Sequence, residues 1–454
     1  MTPTPLRTLL LTCLLWCAHL CYADNLDQQP SYPPEQLQAD FRFMQEAIAQ
    51  THPDVGHSVD PAALATAFQQ VEAQLTQPMT RDEAWQRWST LNPLFADAHL
   101  AITQPDWRSQ TAAFLKAGGA LFPFAVYIDP QGHLFIRTDA DGTASPFAGA
   151  RITRINGQPA DKLVAAVLAR THGDTAAFRN HVAARRWFYL YWKLHGAPDT
   201  FELTLQQGKK TRQLSLAASK HTPVVLQADA EFAKQFSLDL LSDATAVLTI
   251  KAFYWPDKPA YFAFMEQSFQ RIRDAGIRKL IIDIRDNEGG DDDMWKSGIL
   301  KYIASKPYRT GSSYVKKVIA GRASGNEKVG DVVHGEIATW EQPLLTHPLH
   351  FSGQTYVLVG RHTYSSAVLF ANTVQDFGIA QLVGAGGYVR TRQSGGIQVK
   401  ALPHTGLEIV APRFILSRPS GQQQTPLLQP DLVLPDPPFA PQALITQLRN
   451  HLRR

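Results

Sequence analysis

Cysteine is scarce in this sequence of 454 residues, and its placement excludes several classes of protein. The three cysteines are Cys13, Cys17 and Cys21, which all lie near the N-terminus. If residues 1–23 are removed, the chain has no disulfide, no thiol nucleophile and no cysteine zinc site. A glycine repeat and a heptad block are also absent, which argues against a collagen or a coiled coil.

Charge of one sign is not concentrated anywhere in the chain. Lysine and arginine number 44, and aspartate and glutamate number 40, so the net charge is +4. Nucleic-acid binding needs a concentrated basic face, and the scattered basic residues therefore predict no nucleic-acid partner. Hydrophobic residues make up 44% and charged residues 19%, which allows an ordinary globular core. At about 100–200 residues per domain, the length fits two to four domains.

Residues 1–23 have the layout of a secretory signal sequence. A single basic residue, Arg7, precedes the apolar stretch Leu9–Leu20, and the small residue Ala23 stands before Asp24. A basic start, a short apolar middle and a small residue at the cut predict cleavage after Ala23. The predicted location is the periplasm or the outside of the cell, with no membrane span after cleavage.

Two other fates of this segment remain open. The apolar stretch is short for a transmembrane helix, but a retained anchor is an alternative. A lipoprotein cut before Cys21 is another, which His19 and Leu20 disfavour because small residues are expected there. A secreted chain without cysteine fits a bacterial periplasm better than an animal extracellular space, where disulfides are common. No later apolar run in the sequence is long enough to span a membrane.

After a polar, proline-rich lead-in, the chain continues with a helical pattern. Apolar residues recur at helical spacing between Asp40 and Trp88. Thr80 and Glu83 form a capping-box pattern, which predicts the start of a helix there. We expect an N-terminal helical domain over residues 24–106.

The apolar period shortens to that of strands between residues 107 and 218. Two pairs of short apolar segments flank turn residues, which predicts two hairpins. A helical insertion is expected near residues 175–194. We predict a compact β-rich domain over residues 107–218, with hairpin strands Phe124–Ile128 and His133–Arg137, and Phe201–Leu205 and Gln213–Leu216.

Strand and helix patterns alternate over residues 219–440, which predicts a mostly parallel sheet covered by helices. Residues 306–350 show no clear period and are expected to form an insertion or a lid. A C-terminal helical tail is expected over residues 441–454. The predicted strands are Ala246–Ala252, Lys279–Arg285, Thr355–Gly360 and Gln381–Gly384, and the predicted helices are Pro259–Ala275 and Ser365–Phe377.

Two of these strands end in segments suited to catalysis, which collects at the carboxyl ends of strands in such sheets. Lys279–Arg285 leads to Gly289 and Gly290, where backbone N–H groups without neighbouring Cβ atoms can bind an anion. The next strand leads to Ser365 and Ser366 at the start of a helix, whose N-terminus favours an oxyanion. Taken alone, a serine there is most often a helix cap, and a glycine pair is usually a turn.

Several segments, in order along the chain, resemble the C-terminal processing peptidases, or tail-specific proteases, which include the tricorn core. Lys279–Gly290 (KLIIDIRDNEGG) is similar to their glycine-pair signature, and Tyr364–Gly384 resembles their nucleophile helix with the following strand. Leu428–Val433 resembles their closing Pro-Asp segment. Phe95–His99 resembles the Asp-x-His end of the helical domain in the histidine-using branch, and Ile152–Pro159 resembles part of their PDZ-like domain.

This resemblance implies an α/β fold with a ClpP/crotonase-like βαβ core, an N-terminal helical domain and a PDZ-like β-rich domain. It implies that Ser365 is the nucleophile, and the register through Gln375–Gly378 favours Ser365 over Ser366. The backbone N–H of Ser366 and one from Gly289 or Gly290 would form the oxyanion hole.

The general base expected from the family's Ser/Lys branch is missing. The position of its lysine holds Arg390, with Arg392 nearby, and Lys400 lies too far along the chain. A guanidinium stays protonated and cannot take the proton of the serine. A histidine is the natural substitute, because its pKa lies near neutrality.

Three histidines compete for the role of base. His99 matches the tricorn-like branch, in which the helical domain supplies the base across the cleft. His362 stands three residues before Ser365 and is expected to face elsewhere, and His404 is expected to be a solvated turn residue. The structural alternative for His99 is a helix-terminal histidine bonded to a carbonyl group.

The acid that would orient the base is open between Asp97 and Glu408. Asp97 stands two residues before His99, where it could equally cap a helix. Glu408 could be the distant acid of the family's tetrad, but a surface carboxylate on a strand is the stronger interpretation. Val368 occupies the position of the family's acidic residue three after the nucleophile, so a role for that position is in doubt.

Other polar residues receive structural interpretations. Asp283 and Arg285 are expected to hold a neighbouring loop by hydrogen bonds. Arg361, Arg390 and Arg392 could bind a substrate carboxylate, although solvated loop charges are the stronger interpretation. No HExxH motif or phosphate-binding loop is present, and neither a metal nor a cofactor is predicted.

The sequence therefore predicts a serine endopeptidase, a hydrolase that cleaves extended or unfolded polypeptides. Ser365 would attack the peptide carbonyl group and His99 would move the proton. The alternative is a catalytically inactive protein that binds a ligand or peptide, since this architecture also occurs in retinoid-binding modules. A third, minor hypothesis is a hydrolase for bonds other than peptides that uses the same serine.

Overall fold

The computed structural model of the chain describes residues 30–422 and 425–453. The predicted signal sequence, residues 1–23, lies outside these ranges. Within them, no helix has both the length and the apolar character needed to cross a membrane.

The N-terminal part is helical, as the apolar spacing predicts. Thr80 accepts a hydrogen bond from the backbone of Glu83, whose carboxylate binds back to Thr80, so the predicted capping box is confirmed. The elements are β1 (Ser31–Tyr32), α1 (Pro34–Thr51), α2 (Pro61–Glu72), β2 (Met79–Thr80), α3 (Arg81–Trp88), α4 (Asn92–Phe95) and β3 (Ala101–Thr103).

The middle part is built on an antiparallel sheet. Its strands are β4 (Phe124–Ile128), β5 (Leu134–Asp139), β6 (Arg151–Ile155), β7 (Gln158–Pro159), β8 (Thr200–Gln207) and β9 (Lys210–Ala217). Strands β4 and β5 pair, as do β8 and β9, so both predicted hairpins are confirmed. Helices in this part are α5 (Trp107–Lys116), α6 (Ala160–Leu168), α7 (Ala176–Arg185) and α8 (Trp187–His195), and the last two form the expected insertion.

The third part contains a larger sheet with helices on both faces. Its helices are α9 (Val224–Ala230), α10 (Phe232–Gln235), α11 (Lys258–Asp274), α12 (Asp292–Trp295), α13 (Lys301–Ile303), α14 (Ser366–Asp376) and α15 (Ala443–His451). Its strands are β10 (Phe236–Leu241), β11 (Thr245–Ile250), β12 (Lys279–Asp283), β13 (Ser313–Lys317), β14 (Val332–Glu336), β15 (Gln354–Val359), β16 (Gln381–Gly384), β17 (Gln393–Gly395), β18 (Gln398–Ala401), β19 (Glu408–Ala411), β20 (Phe414–Leu416) and β21 (Leu432–Val433).

Six strands form the main sheet in the order β10-β11-β12-β15-β16-β21. Strand β10 is antiparallel to β11, and the remaining neighbours are parallel. The predicted α/β class with a mostly parallel sheet is therefore confirmed. Because β12 and β15 are adjacent and parallel, the glycine pair and the start of α14 lie at one edge of the sheet.

Two smaller sheets in the third part were not expected from the alternating pattern. One has the order β14-β13-β20-β17 and uses residues from the segment 306–350. The other joins β18 and β19 to β3 of the helical part, with Ile409 opposite Ile102. These strands are three to five residues long, and most of them contain partly or fully exposed residues, so they carry no long apolar run that the sequence could reveal.

Three buried clusters hold these parts together. The helical part and the β-rich part share one apolar core, which includes Phe41, Trp88 and Phe122. A second core lies between the main sheet and α11 and α14. Helix α15 covers the other face of the sheet through Leu444 and Leu448, in the region of the expected C-terminal helical tail. The domain limits, and the PDZ-like and crotonase-like likenesses, remain predictions.

Candidate active site

Ser365 lies in a sharp turn between β15 and α14. Its backbone has φ 55° and ψ −126°, a conformation that a residue with a Cβ rarely adopts and that costs about 1–3 kcal/mol. Ser365 stands at the N-cap position of α14, but within the described chain its hydroxyl makes no capping hydrogen bond. Such a turn between a strand and a helix presents the side chain outward from the edge of the sheet.

The hydroxyl of Ser365 is paired with the imidazole of His99. Ser365 Oγ lies 3.0 Å from His99 Nε2, although the two residues are 266 positions apart in the sequence. The turn from α4 to β3 carries His99, with Ala96 in the left-handed region at φ 47°. Because β3 pairs with β19 of the third part, this turn is brought to the edge of the main sheet.

The environment of His99 favours a neutral imidazole. Burial lowers the pKa of His99 below its usual value, while the negative charge of Asp97 opposes this effect. The ring also packs on Tyr364, with 4.8 Å between the ring centroids. A neutral ring nitrogen near a hydroxyl can accept a proton at neutral pH.

The second ring nitrogen of His99 is bound to a residue that the sequence analysis did not single out. His99 Nδ1 lies 3.0 Å from Ser394 Oγ, and Ser394 donates a hydrogen bond of 2.8 Å to Asp97 Oδ1. The backbone N–H of His99 donates to the same carboxylate oxygen at 2.7 Å. Asp97 therefore contacts the imidazole through a serine hydroxyl, and holds the turn directly.

Asp97 is buried, and three effects set its charge. Burial alone would raise its pKa, but the charge of His99 and hydrogen bonds from the His99 N–H and from Ser394 bring the pKa below its usual value. We take Asp97 as an ionised carboxylate. It does not cap a helix, since α4 ends at Phe95 before it.

Glu408, the other acid that the sequence left open, is not brought to the imidazole. It lies at the start of β19, opposite Thr103, and among the described residues it has no hydrogen bond to His99. Burial and the charge of Asp106 raise the pKa of Glu408. Glu408 therefore fits the alternative interpretation, in which it is a carboxylate on a strand near the surface.

The glycine pair lies against the turn that holds Ser365. Gly289 has φ 100°, and a Cβ on it would lie 2.7 Å from the Cβ of Ser365, so only glycine fits there. Its N–H donates to Asn287 Oδ1 at 2.8 Å. Within the described chain, the N–H groups of Gly290 and Ser366 have no acceptor. Of the two glycines, Gly290 thus has the free donor.

Ser366 itself is unsuited to be the nucleophile. Its side chain is buried, and its hydroxyl donates to Asp292 and accepts from the indole N–H of Trp295 at 2.8 Å. This bonding fits the register that favours Ser365.

The competing histidines lie elsewhere. His362 faces the side of His181, with 5.9 Å between the rings, and His404 is exposed on a turn whose backbone binds Asp40. Neither has a contact with Ser365 among the described residues.

Two of the arginines that were candidates for binding a substrate carboxylate instead bind other groups of the protein. Arg361 binds the carboxylate of Asp436 at 3.2 Å, and Arg390 donates to the carbonyl group of Ala96. The interpretation of both as solvated loop charges is therefore wrong, because each ties separate segments together. Asp283 pairs with Arg285 at 2.7 Å, as expected for residues that hold a loop.

Asp174 and Tyr364 connect all three parts of the chain beside the site. Asp174, from the β-rich part, accepts hydrogen bonds from Tyr364 Oη at 3.1 Å, from the N–H of Arg390 at 2.9 Å and from the N–H of Ala98 at 3.2 Å. Burial and the charge of Asp97 raise the pKa of Asp174 to about 6. No local pattern in the sequence marks Asp174, since its donors come from distant segments.

Two cavities meet at Ser365 and Gly290. One, of about 700 Å³, is also lined by Ser366 and Leu369. The other, of about 600 Å³, is also lined by His99 and Tyr364. The part of the chain that the structure describes has no cluster of three or more His, Cys, Asp or Glu side chains suited to a metal ion.

Comparison with known proteins points to a peptidase family. Residues 244–434, which contain Gly289, Gly290 and Ser365, match the model of Peptidase family S41. This match supports a C-terminal processing peptidase of the S41 type, as the sequence resemblance implies. It is a serine-type peptidase, a hydrolase.

Solved structures of CPAF share the fold at low sequence identity. Mature CPAF is 14% identical, with a TM-score of 0.62, over 92% of this chain and 98% of that chain. Mature CPAF complexed with lactacystin is 14% identical, with a TM-score of 0.62, over 92% of this chain and 97% of that chain. A photosystem II D1 C-terminal processing protease is 16% identical, with a TM-score of 0.45, over 88% of this chain and 92% of that chain. No curated protein sequence matches the chain.

Proposed function

We propose that the protein is a serine endopeptidase that cleaves extended or unfolded polypeptides with Ser365 as nucleophile and His99 as general base. The distance of 3.0 Å between Ser365 Oγ and His99 Nε2 carries this proposal. The free N–H groups of Gly290 and Ser366 beside the same hydroxyl support it.

The reaction begins with attack on the peptide carbonyl group. Ser365 Oγ forms a bond to the carbonyl carbon while its proton moves to His99 Nε2. The carbonyl oxygen becomes negative and receives hydrogen bonds from the N–H groups of Gly290 and Ser366. Because Ser366 begins α14, the N-terminus of this helix adds a favourable field.

The protonated imidazole then releases the first product. His99 Nε2 donates its proton to the amide nitrogen, the carbon–nitrogen bond breaks, and the amine leaves. Water then attacks the acyl ester of Ser365 and gives up a proton to His99. The carboxylic acid product departs and Ser365 regains its hydroxyl proton.

Ser394 and Asp97 are proposed to orient and stabilise the base. In the tautomer that accepts a proton on Nε2, His99 Nδ1 carries hydrogen and donates to Ser394 Oγ. Ser394 donates in turn to Asp97, whose negative charge stabilises the imidazolium. This chain of hydrogen bonds takes the place of a direct carboxylate contact.

An extended polypeptide is the substrate class that the surroundings favour. Cavities on both sides of Ser365 can receive residues before and after the scissile bond. Strand β17, which carries Ser394, is at the edge of its sheet, and a substrate strand could pair with that edge. The location that we propose, periplasmic or secreted, rests on the sequence of residues 1–23.

A fluorophosphonate probe tests the proposal directly. Wild type should be labelled, whereas the folded Ser365→Ala and His99→Ala variants should lose labelling and cleavage of a denatured protein. Ser297→Ala, which removes an exposed serine hydroxyl, is the matched control and should behave as wild type. A folded wild-type protein that the probe leaves unlabelled, but that binds peptide, would instead favour the inactive binding protein.

A further inference from the structure

The cavity of about 600 Å³ beside His99, here called the arginine cavity, carries an excess of positive charge. Its charged lining consists of Arg186, Arg322, Arg413 and Glu288. Glu288 is paired with Arg185 at 3.5 Å, and its charge also acts on Arg186, which leaves Arg322 and Arg413 as the arginines of the cavity without an acidic partner among the described residues.

Two of these arginines lack an acidic partner. Among the described residues, neither Arg322 nor Arg413 forms an ion pair, and Arg322 is exposed. Arg413 packs over the ring of Phe414 at 3.9 Å. Arg322 and Arg413 line the same cavity, and partial burial and the like charge of Arg322 lower the pKa of Arg413. Like charges held together without a counter-charge favour an anionic ligand between them.

The cavity of about 700 Å³ on the other side of Ser365, here called the apolar cavity, has no such excess. Lys316 is paired with Glu327 at 2.6 Å, and Asp291 is paired with Lys258. Asp292 accepts a hydrogen bond from Trp295. The remaining walls include the apolar and aromatic side chains of Leu369, Leu416, Phe414 and Tyr314.

The chemistry of the site decides which half of the substrate each cavity receives. His99 must donate its proton to the leaving amine, and His99 lines the arginine cavity but not the apolar cavity. The oxygen of the scissile carbonyl group must face Ser366, which lines the apolar cavity. The leaving segment would therefore occupy the arginine cavity, and the residue that supplies the carbonyl group would occupy the apolar cavity.

We propose that the substrate carries an apolar residue at the scissile carbonyl group and a carboxylate on the leaving side, bound by Arg322 and Arg413. This inference rests on the proposed peptidase function. Guanidinium groups bind carboxylates through paired N–H donors. The carboxylate can come from an Asp or Glu side chain or from the C-terminus of the substrate.

Matched peptides test the inference and separate the two sources. All would share one apolar residue before the scissile bond. Three amidated peptides would carry Glu, Gln or Lys on the leaving side, and a fourth would carry Gln with a free C-terminal carboxylate. We expect kcat/KM for the Glu peptide or the free-carboxylate peptide to exceed that of the amidated Gln peptide about tenfold. The advantage should shrink as salt is added.

Variants then assign the preference to the two arginines. Arg322→Gln and Arg413→Gln should each bring kcat/KM for the carboxylate peptide down to the value that the same variant shows for the amidated Gln peptide. A wild-type midpoint of thermal unfolding shows that the variants are folded. Arg413→Glu should favour the Lys peptide. Lys162→Gln, which removes an exposed charge from the β-rich part, is the matched control and should retain the wild-type preference.

Two results would overturn the inference and differ in what they mean for the proposed function. Cleavage that depends on Ser365 but proceeds at equal rates for all four peptides overturns the carboxylate preference alone. Absence of Ser365-dependent cleavage of any peptide, together with absence of probe labelling, overturns both proposals.

Discussion

Ser394 Oγ lies 3.0 Å from Nδ1 of His99, on the side of the ring opposite Ser365. The proposed base is thus held between two serine hydroxyls, one of which would react while the other positions the ring. The carboxylate of Asp97 acts on the ring through Ser394 and through its charge. This arrangement leads to predictions about orientation, charge and space at the site.

Removal of the Ser394 hydroxyl should impair catalysis more than folding. In Ser394→Ala, His99 Nδ1 loses its partner and the ring is free to rotate or change tautomer, so kcat should fall about 100-fold. Steady-state kinetics with a peptide substrate measure this effect. Probe labelling of Ser365 should slow in parallel, and a wild-type kcat in this variant would contradict the positioning role. Ser297→Ala serves as the serine control.

The charge of Asp97 should be visible in the pH profile. The pKa of His99 lies below its usual 6.5, and Asp97 raises it against the larger effect of burial. Asp97→Asn should therefore lower the His99 pKa further and move the acid limb of kcat/KM to lower pH. The value of kcat should also fall, because the imidazolium loses its negative neighbour. An acid limb that moves to higher pH would contradict this assignment. Asp239→Asn, at an exposed position on β10, is the control.

Asp174 should make stability depend on pH in a defined window. Its pKa is raised from 3.8 to about 6 in the folded chain, so folding favours the protonated acid. The stability that this group contributes is present below pH 3.8 and is lost as pH rises to about 6. Relative to Asp174→Asn, wild type should lose about 3 kcal/mol of unfolding free energy across this window. Urea denaturation between pH 4 and 7 measures the difference, and a constant difference would contradict the raised pKa.

A side chain at residue 289 should not fit beside Ser365. In Gly289→Ala the new Cβ would lie 2.7 Å from the Cβ of Ser365 and 2.9 Å from the nitrogen of Ser366, so the turn must shift and activity should be lost. Gly157→Ala is the matched control, since Gly157 also has a positive φ, 77°, but no atom within 4 Å of the added Cβ. The control should lose about 1 kcal/mol of stability and retain wild-type kcat. Equal activity of the two variants would contradict the steric explanation, because both variants carry the backbone strain of a positive φ.

The main elements of the fold could be predicted because their signals are local. The apolar run of β12, the hairpins of the β-rich part and the capping box at Thr80 each lie within a few residues of sequence. Short strands such as β17 and β19 escaped prediction, because pairing with distant strands stabilises them rather than their own apolar content.

The residues of the proposed site also differ in whether a local sequence signal marks them. Ser365, Gly289 and Gly290 stand at the ends of two predicted strands, where the topology of a parallel sheet brings them together. His99 was one of three candidate bases, and it was favoured over His362 through the resemblance of Phe95–His99 to the family's Asp-x-His segment. Ser394 and Asp174 carried no signal, because each acquires its role only from partners more than 70 residues away in the chain.

The sequence by itself determined the α/β class, the absence of thiol chemistry beyond residue 23 and the presence of a serine at a helix start after a buried strand. Only the tertiary structure decided which histidine meets that serine, which carboxylate lies behind the histidine and which cavity bears unpaired arginines. The physical reason is that periodicity and turn chemistry act between neighbours in the chain. Hydrogen bonds and charge pairs at the site depend on distances that exist only after the three parts have packed together.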